Sequence, residues 1–150
     1  MEKTLVLLKP DAVQRRLVGT IIHRFEQKGL CLVGLKLVQA TRELAEAHYA
    51  LHKNRHFYES LLKFILSGPT VALVLEGREA VAVVRELMGP TDGAKAKPGT
   101  LRGDFAISVQ NNLIHGSDVP ENAEVEIKLW FAPEELLNYQ LVDTPWVAGT

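Results

Sequence analysis

The chain has 150 residues, of which 47% are hydrophobic, and its 17 basic and 18 acidic side chains leave a formal net charge of −1. A chain of this length can bury one core and is most simply one domain over residues 1–150. The near-zero charge is unlike that of proteins whose main partner is a nucleic acid, so we expect nucleic acid to be at most a minor partner.

The cysteine count and the first residues predict the compartment. Cys31 is the single cysteine in the sequence, so an internal disulfide is impossible. The first apolar run spans only residues 5–8, which is too short for a signal peptide or a membrane span. We therefore expect a soluble, cytoplasmic protein with no membrane partner.

The first half of the chain predicts two strands and three helices from the spacing of its apolar residues. Gly29 ends the first helix, and a break near Asn54 separates the other two. The predicted strands cover residues 4–8 and 31–38, and the predicted helices cover 17–28, 43–51 and 57–66.

The second half predicts strands over 71–75 and about 113–115, helices over 78–88 and 121–131, and a loop over 89–103. Loops of this length inside a compact domain are usually functional or disordered. Asp118 and Glu121 resemble a capping box at the start of the last helix, with Pro120 in its first turn. The order β-α-β-α-α-β-α-loop-β-α predicts an α+β, ferredoxin-like sandwich, with helices covering one face of a four-stranded antiparallel sheet.

His115 follows a predicted strand, and Gly116 after it lets the backbone turn. A histidine held there suits a nucleophile, a general base, a metal ligand or a satisfied core residue. The region before it contains cations and hydroxyls that suit a phosphate chain, although a solvated surface loop is the simpler interpretation without the histidine. These side chains are Arg85, Lys95, Lys97, Arg102, Thr91 and Thr100.

Other signatures are weaker or absent. The sequence contains no P-loop, no Gly-x-Gly-x-x-Gly, no Gly-x-Ser-x-Gly and no cysteine pair with zinc spacing. His48, His52 and His56 would share one face of an unbroken helix and could hold a metal, but the break near Asn54 favours a solvated helix end. Phe57, at a predicted helix start, suits either base stacking or a place in the core.

Five motifs in order resemble the nucleoside diphosphate kinase family over residues 1–146. They are Lys-Pro-Asp-Ala-Val-Gln-Arg at 9–15, Leu-Val-Gly at 17–19 with Phe-Glu-Gln-Lys-Gly at 25–29, Ser-Gly-Pro at 67–69, Lys-Pro-Gly-Thr-Leu-Arg-Gly-Asp at 97–104 and Asn-Leu-Ile-His-Gly-Ser-Asp at 112–118. The resemblance implies ping-pong transfer of a γ-phosphoryl group from a nucleoside triphosphate, mainly ATP, to ribo- and deoxyribonucleoside diphosphates through a phosphohistidine at His115. It also implies Mg²⁺ as the cofactor, bound through the nucleotide phosphates. The alternative is a non-catalytic ferredoxin-like module that binds nucleotides or a protein partner.

The resemblance also assigns residues to the site. The implied catalytic set is His115 with Glu126, Ser117 and Tyr49, in which Glu126 and Ser117 orient the histidine. Phe57 would stack on the base, and the remaining nucleotide contacts would be Lys9, His48, Arg85, Thr91, Arg102 and Asn112. No residue is expected to bind the metal directly.

The same resemblance predicts the assembly. The tail over residues 141–150, with Trp146, is similar to that of hexameric family members, so we expect a homo-hexamer, with a tetramer as second choice. Gly93 stands where the family usually has proline. From the entropy of the unfolded chain alone, Gly93→Pro is expected to make the protein harder to unfold.

Overall fold

A four-stranded antiparallel sheet lies at the centre of the structure, a computed structural model that describes residues 1–149. The strand order is β2-β3-β1-β4, with β1 (Glu2–Leu8), β2 (Cys31–Val38), β3 (Thr70–Gly77) and β4 (Ile114–Gly116). In the register, Glu2 pairs with Gly77, and Leu7 pairs with His115. The predicted ferredoxin-like α+β fold is confirmed.

Eight α-helices connect and flank the strands within residues 1–149. They are α1 (Pro10–Gln14), α2 (Val18–Lys28), α3 (Arg42–His48), α4 (Tyr58–Leu66), α5 (Ala80–Met88), α6 (Leu101–Phe105), α7 (Pro120–Trp130) and α8 (Thr144–Val147). The five predicted helices are all present with small shifts at their ends. None of the helices in this part of the chain is long and apolar enough to cross a membrane.

Both faces of the sheet are covered, which corrects the prediction of helices on one face. Val6 and Leu8 of β1 belong to a buried cluster with α2 and α5. Leu5 and Leu7, which alternate with them, belong to a second cluster with Trp130 of α7. Because β1 is apolar at successive positions, both of its faces need burial.

A bulge in β2 changes which side chains the sheet buries. The pairing with β3 shifts between Leu32 and Gly34. One inserted residue moves all later side chains of the strand to the opposite face. Leu35 and Leu37 consequently lie on the α2 and α5 face of an edge strand, 53% and 67% exposed.

The predicted loop over 89–103 contains local structure, because it includes a short 3₁₀ turn (Gly93–Lys95) and the start of α6. Gly93 is buried, and a Cβ at this position would lie 2.6 Å from the carbonyl carbon of Ala106. The Gly93 N–H also donates to the Ser108 carbonyl at 3.3 Å. Proline at this position would create the clash and remove the hydrogen bond, so the stabilisation expected for Gly93→Pro conflicts with the structure.

The capping box predicted for α7 is wrong. The N-cap residue is Val119, whose side chain makes no capping hydrogen bond, and Pro120 is the first helical residue. The Asp118 carboxylate accepts hydrogen bonds from the Val119 N–H at 2.9 Å and from Nδ2 of Asn122 at 2.8 Å. Asp118 therefore stabilises the first turn from one position further upstream.

Candidate active site

His115 lies on β4 and is held by a carboxylate from α7. Its Nε2 lies 2.9 Å from Oε1 of Glu126, and Ser117 Oγ donates to the same oxygen at 2.8 Å. A carboxylate accepts hydrogen bonds, so this contact assigns the proton to Nε2 and leaves the lone pair on Nδ1. The partly exposed imidazole, 25% accessible, thus has one nitrogen available as a nucleophile.

Ser117 is itself fixed by the sheet. It is fully buried, and its Oγ accepts a hydrogen bond from the backbone N–H of Leu5 at 3.3 Å. The Ser117 N–H in turn donates to the Leu5 carbonyl at 3.1 Å. Two contacts with β1 therefore fix the residue that orients Glu126.

Gly116 is needed for packing, and not for the turn that its position suggested. It lies within β4, and its φ lies outside the left-handed region. A Cβ here would lie 2.5 Å from Sδ of Met88 and 3.2 Å from Cγ1 of Val84. The glycine lets α5 approach β4, and Arg85 on that helix donates to the Gly116 carbonyl at 3.2 Å.

Three cations contact the segment 112–116 that contains His115. Arg85 donates to Gly116, Lys9 Nζ donates to Asn112 Oδ1, and Arg102 donates to the carbonyls of Asn112 and Ile114. Burial and the neighbouring Arg102 lower the pKa of Lys9 to about 8. Burial and Arg85 lower the pKa of Arg102 to about 10. Cations that disfavour one another's charge in this way suit a polyanion such as a phosphate chain.

Arg102 and Asn112 also tie the loop to the sheet. Arg102 is only 6% exposed, and besides its two bonds to the segment 112–116 it donates to the Gly89 carbonyl at 3.0 Å. Asn112 is buried, and its Nδ2 donates to the Thr91 carbonyl at 2.9 Å. Both side chains are therefore structural ties as well as candidate ligand groups, whereas Thr91 is exposed.

An aromatic group formed by the rings of His48 and Tyr49 borders His115. The rings of His48 and His115 meet edge to face with centroids 4.6 Å apart, and Tyr49 lies 4.8 Å from His48. Burial lowers the pKa of His48 well below its ordinary 6.5, and His115 and Lys9 add to the shift. Burial, with a smaller effect of Glu126, raises the pKa of Tyr49 to about 12. Both groups are neutral at pH 7.

The three spaced histidines do not share one helix face. Helix α3 ends at His48, which packs beside His115 and Trp130 and is not part of a solvated helix end. His52 and His56 instead flank Phe57, with ring centroids 5.5 and 5.3 Å away. Among the described residues, the group with metal-ligand spacing is His48, His115 and Glu126, whose ligand atoms lie within 4.8 Å of one another.

The structure brings most of the predicted site residues together around β4. Phe57 is half-buried just before α4, where it lies against the rings of His52 and His56, and Thr91 is exposed. Sequence reasoning missed two residues, Asp11 and Trp130. Asp11 accepts a hydrogen bond from Leu113, and Trp130 donates to His48. Asp11 lies in the motif at 9–15, but no local signal links Trp130 to the site.

Comparisons with known proteins agree on one family. Residues 2–136 match the family model described as nucleoside diphosphate kinase. The chain is 58% identical to a nucleoside diphosphate kinase of Thermosynechococcus vestitus over 98% of both chains, and 56% identical to one of Carboxydothermus hydrogenoformans over 98% and 99%. A solved halophilic nucleoside diphosphate kinase from Halobacterium salinarum, in complex with CDP, is 47% identical over 97% of both chains, with a TM-score of 0.95.

Proposed function

Since this chain belongs to the nucleoside diphosphate kinase family and transfers phosphoryl groups between nucleotides, we propose that His115 is the residue that carries the phosphoryl group. The observation that carries the proposal is the contact of Nε2 with Glu126, which leaves Nδ1 with its lone pair. The sequence identity of 58% and 56% to the two nucleoside diphosphate kinases, over 98% of this chain, does not favour the non-catalytic alternative.

The proposed reaction has two similar half-reactions at this nitrogen. His115 Nδ1 attacks the γ-phosphorus of a nucleoside triphosphate, mainly ATP. The N–P bond forms as the bond from the γ-phosphorus to the bridging oxygen breaks, and a nucleoside diphosphate leaves with that electron pair. A terminal phosphate oxygen of a second diphosphate then attacks the phosphohistidine and restores the lone pair on Nδ1.

Glu126 has a defined part in this exchange. When Nδ1 bonds to phosphorus, positive charge develops on the imidazole ring. The Glu126 carboxylate at Nε2 stabilises that charge and keeps the ring in one tautomer, as a carboxylate does beside other catalytic histidines. Ser117, which donates to Glu126, keeps the carboxylate in place.

The nucleotide contacts follow from the cations and the aromatic group. We propose that Arg85, Thr91 and Arg102 bind the phosphates, and that Lys9 and Asn112 bind the ribose and the nearby phosphate oxygens. His48 and Tyr49 border the transferred group, and Phe57 stacks on the base. Stacking accepts any base, which supports a broad range of ribo- and deoxyribonucleotide substrates.

A divalent cation is generally part of nucleotide phosphoryl transfer, and we propose Mg²⁺ for this enzyme. Mg²⁺ prefers oxygen ligands. The cluster with metal-ligand spacing consists of two imidazoles, one of them that of the reacting His115, and one carboxylate that already accepts a hydrogen bond from Ser117. This donor set supports a cation that arrives bound to the phosphates of the substrate and not one held by a protein cage.

We also propose a cytoplasmic homo-hexamer, with a tetramer as the alternative. The lone Cys31 fits a reducing compartment. Val142 and Trp146 in the tail are 99% and 91% exposed in the single chain, which supports burial of the tail against a neighbouring copy. Light scattering should give six times the 16.7-kDa chain mass. A mass of one chain would rule out the assembly, and a mass of four chains would favour the tetramer.

Labelling with γ-labelled ATP tests the role of His115. The wild type should form an acid-labile, base-stable phosphoprotein, and His115→Ala should form none while keeping its fold. His23→Ala, which removes an exposed histidine on α2, is the matched control and should label normally. Parallel double-reciprocal plots are expected from the two half-reactions. Label on folded His115→Ala, or intersecting plots, would contradict the proposal.

A further inference from the structure

Trp130 donates a hydrogen bond to the histidine next to His115. Its indole Nε1 lies 3.1 Å from Nδ1 of His48, with the ring centroids 5.6 Å apart. An indole N–H is a donor only, so Nδ1 of His48 must present a lone pair to it. A neutral imidazole has one proton, and here that proton belongs on Nε2 of His48.

The same helix sets the tautomer of both neighbouring histidines. Glu126 and Trp130 are one turn apart on α7, so their side chains lie on the same helix face. Glu126 accepts at Nε2 of His115, and Trp130 donates at Nδ1 of His48. An acceptor at Nε2 of His115 and a donor at Nδ1 of His48 therefore both favour the Nε2-protonated tautomer. The centroids of the two rings are 4.6 Å apart.

The two rings nevertheless have different chemistry to offer. His115 keeps the free lone pair of Nδ1, which makes it a nucleophile. The lone pair of His48 is occupied by Trp130, so its remaining polar group is the Nε2–H donor. Burial keeps His48 uncharged, and its ring meets that of His115, the residue proposed to carry the phosphoryl group, with centroids 4.6 Å apart.

We propose that Trp130 is a positioning residue, which fixes His48 as the Nε2-protonated tautomer so that His48 donates to the transferred phosphoryl group and does not bind a metal. This inference rests on the role proposed for His115. It adds a residue outside the predicted catalytic and nucleotide-binding sets.

The metal part of the proposal follows from the spacing of the cluster. Two imidazoles and a carboxylate with ligand atoms within 4.8 Å suit Zn²⁺ or Co²⁺. A histidine binds a metal through a nitrogen lone pair, and the Trp130 N–H occupies that of His48 while Nε2 carries a proton. The indole therefore weakens the binding of transition metals that would capture the nucleophile His115.

The test compares Trp130→Phe with Trp146→Phe, which changes the only other tryptophan. In the single chain, Trp130 is 3% exposed and Trp146, in the tail, is 91% exposed. Phenylalanine keeps an aromatic ring at either position while removing the N–H. Long-range ¹H–¹⁵N NMR of the free enzyme at pH 7 reports which imidazole nitrogens carry protons. In the wild type and in Trp146→Phe, His48 should carry its proton on Nε2 alone. In Trp130→Phe, both tautomers should be populated.

Two functional readouts accompany the spectra. Calorimetric titration with Zn²⁺ in the absence of nucleotide should show at least about tenfold tighter binding by Trp130→Phe. Its kcat should fall about three- to tenfold, the size of one lost hydrogen bond. The double variant His48→Gln/Trp130→Phe should return Zn²⁺ binding to the wild-type level, since glutamine supplies no imidazole ligand.

The outcomes separate this inference from the role of His115. The inference would be overturned if His48 of the wild type carried its proton on Nδ1, even if His115 is phosphorylated. It would also be overturned if His48 had the same tautomer in Trp130→Phe as in the wild type. Altered tautomers without any change in Zn²⁺ binding or kcat would overturn it as well. The predicted His48 tautomer without labelling of His115 would instead contradict the proposed function. If Trp130→Phe fails to fold, the wild-type spectrum alone decides which nitrogen carries the proton.

Discussion

The Asp11 carboxylate accepts a hydrogen bond from the backbone N–H of Leu113, with 3.1 Å between Oδ2 and the nitrogen. Leu113 is fully buried and has a φ of +74°, in the left-handed region that residues other than glycine rarely adopt. Its carbonyl accepts from the backbone N–H of Lys9 at 2.8 Å. Residues at the start of α1 thus hold both backbone groups of a strained residue two positions before His115.

Removing this carboxylate should damage both the fold and the site. For Asp11→Ala we expect the free energy of unfolding to fall by about 1–3 kcal/mol, since the buried Leu113 N–H loses its acceptor. We expect kcat to fall as β4 shifts. Asp11→Asn keeps an acceptor oxygen and should retain most of both quantities, measured by urea unfolding and steady-state kinetics. Equal losses in the two variants would show that the charge, and not the hydrogen bond, matters.

The pKa of Lys9 predicts a pH dependence of nucleotide capture. Burial and Arg102 hold this pKa at about 8, so in the free enzyme the ammonium loses its proton as the pH rises through 8. We expect kcat/KM for the nucleotide to fall above that pH, because this ratio reports the free enzyme. Lys9→Arg should remove the fall, since a guanidinium stays charged in this range. An unchanged profile in the variant would assign the fall to another group.

The same pKa has a consequence for stability with the opposite sign. Because the folded value of about 8 lies below the ordinary 10.5, the unfolded chain binds more protons between these pH values. The contribution of Lys9 to the free energy of unfolding should therefore rise from pH 8 to pH 10.5. Comparison with Lys9→Met by urea unfolding isolates it. A free energy of unfolding of the wild type that falls relative to that of Lys9→Met across this interval would contradict the sign.

Glu126 and Ser117 should affect the rate far more than substrate affinity. Glu126→Gln can still contact Nε2 but cannot neutralise the charge that develops on His115, so we expect kcat to fall about 10- to 100-fold with a smaller change in KM. Ser117→Ala should cause a smaller fall in kcat, because the carboxylate remains. Stopped-flow measurement of the first half-reaction checks both, and a larger effect of Ser117→Ala would reverse the assignment.

Arg102 should affect stability and rate together. Its guanidinium donates to the carbonyls of Gly89, Asn112 and Ile114, and a lysine ammonium cannot reproduce this geometry. For Arg102→Lys we expect a loss of about 1.5–3 kcal/mol of unfolding free energy, and a fall in kcat larger than that of Phe57→Ala. Phe57→Ala should mainly raise KM, since stacking binds ground and transition states alike. A kcat near the wild-type value in Arg102→Lys would contradict the assignment of Arg102 to the phosphate contacts.

Gly93 offers a prediction opposite to the one made from chain entropy. Gly93→Ala places a Cβ against the backbone of Ala106, and Gly93→Pro also removes the hydrogen bond to Ser108. Both variants should lower the urea midpoint, and proline should lower it more. Gly19→Ala is the control, because its Cβ meets nothing within 4 Å on the exposed side of α2, and it should raise the midpoint. A higher midpoint for Gly93→Pro would restore the entropy argument.

The sequence by itself determined the elements that have a regular apolar period. The four strands and five longer helices follow from alternation or helical spacing, which depends on residues close together in the chain. Helices α1 and α6 have five residues each and α8 has four, too few for a period, and these three were not predicted. The residue types of the motif over 112–118 were enough to indicate His115 as a candidate functional residue.

The tertiary structure decided the contacts that give those residues their chemistry. Asp11 meets Leu113 across 102 positions of sequence, and Trp130 meets His48 across 82. The tautomers of His48 and His115, the strain at Leu113 and the lowered pKa of Lys9 all depend on such pairs. No local preference encodes them, because hydrogen bonding and desolvation arise only when packing brings distant segments together.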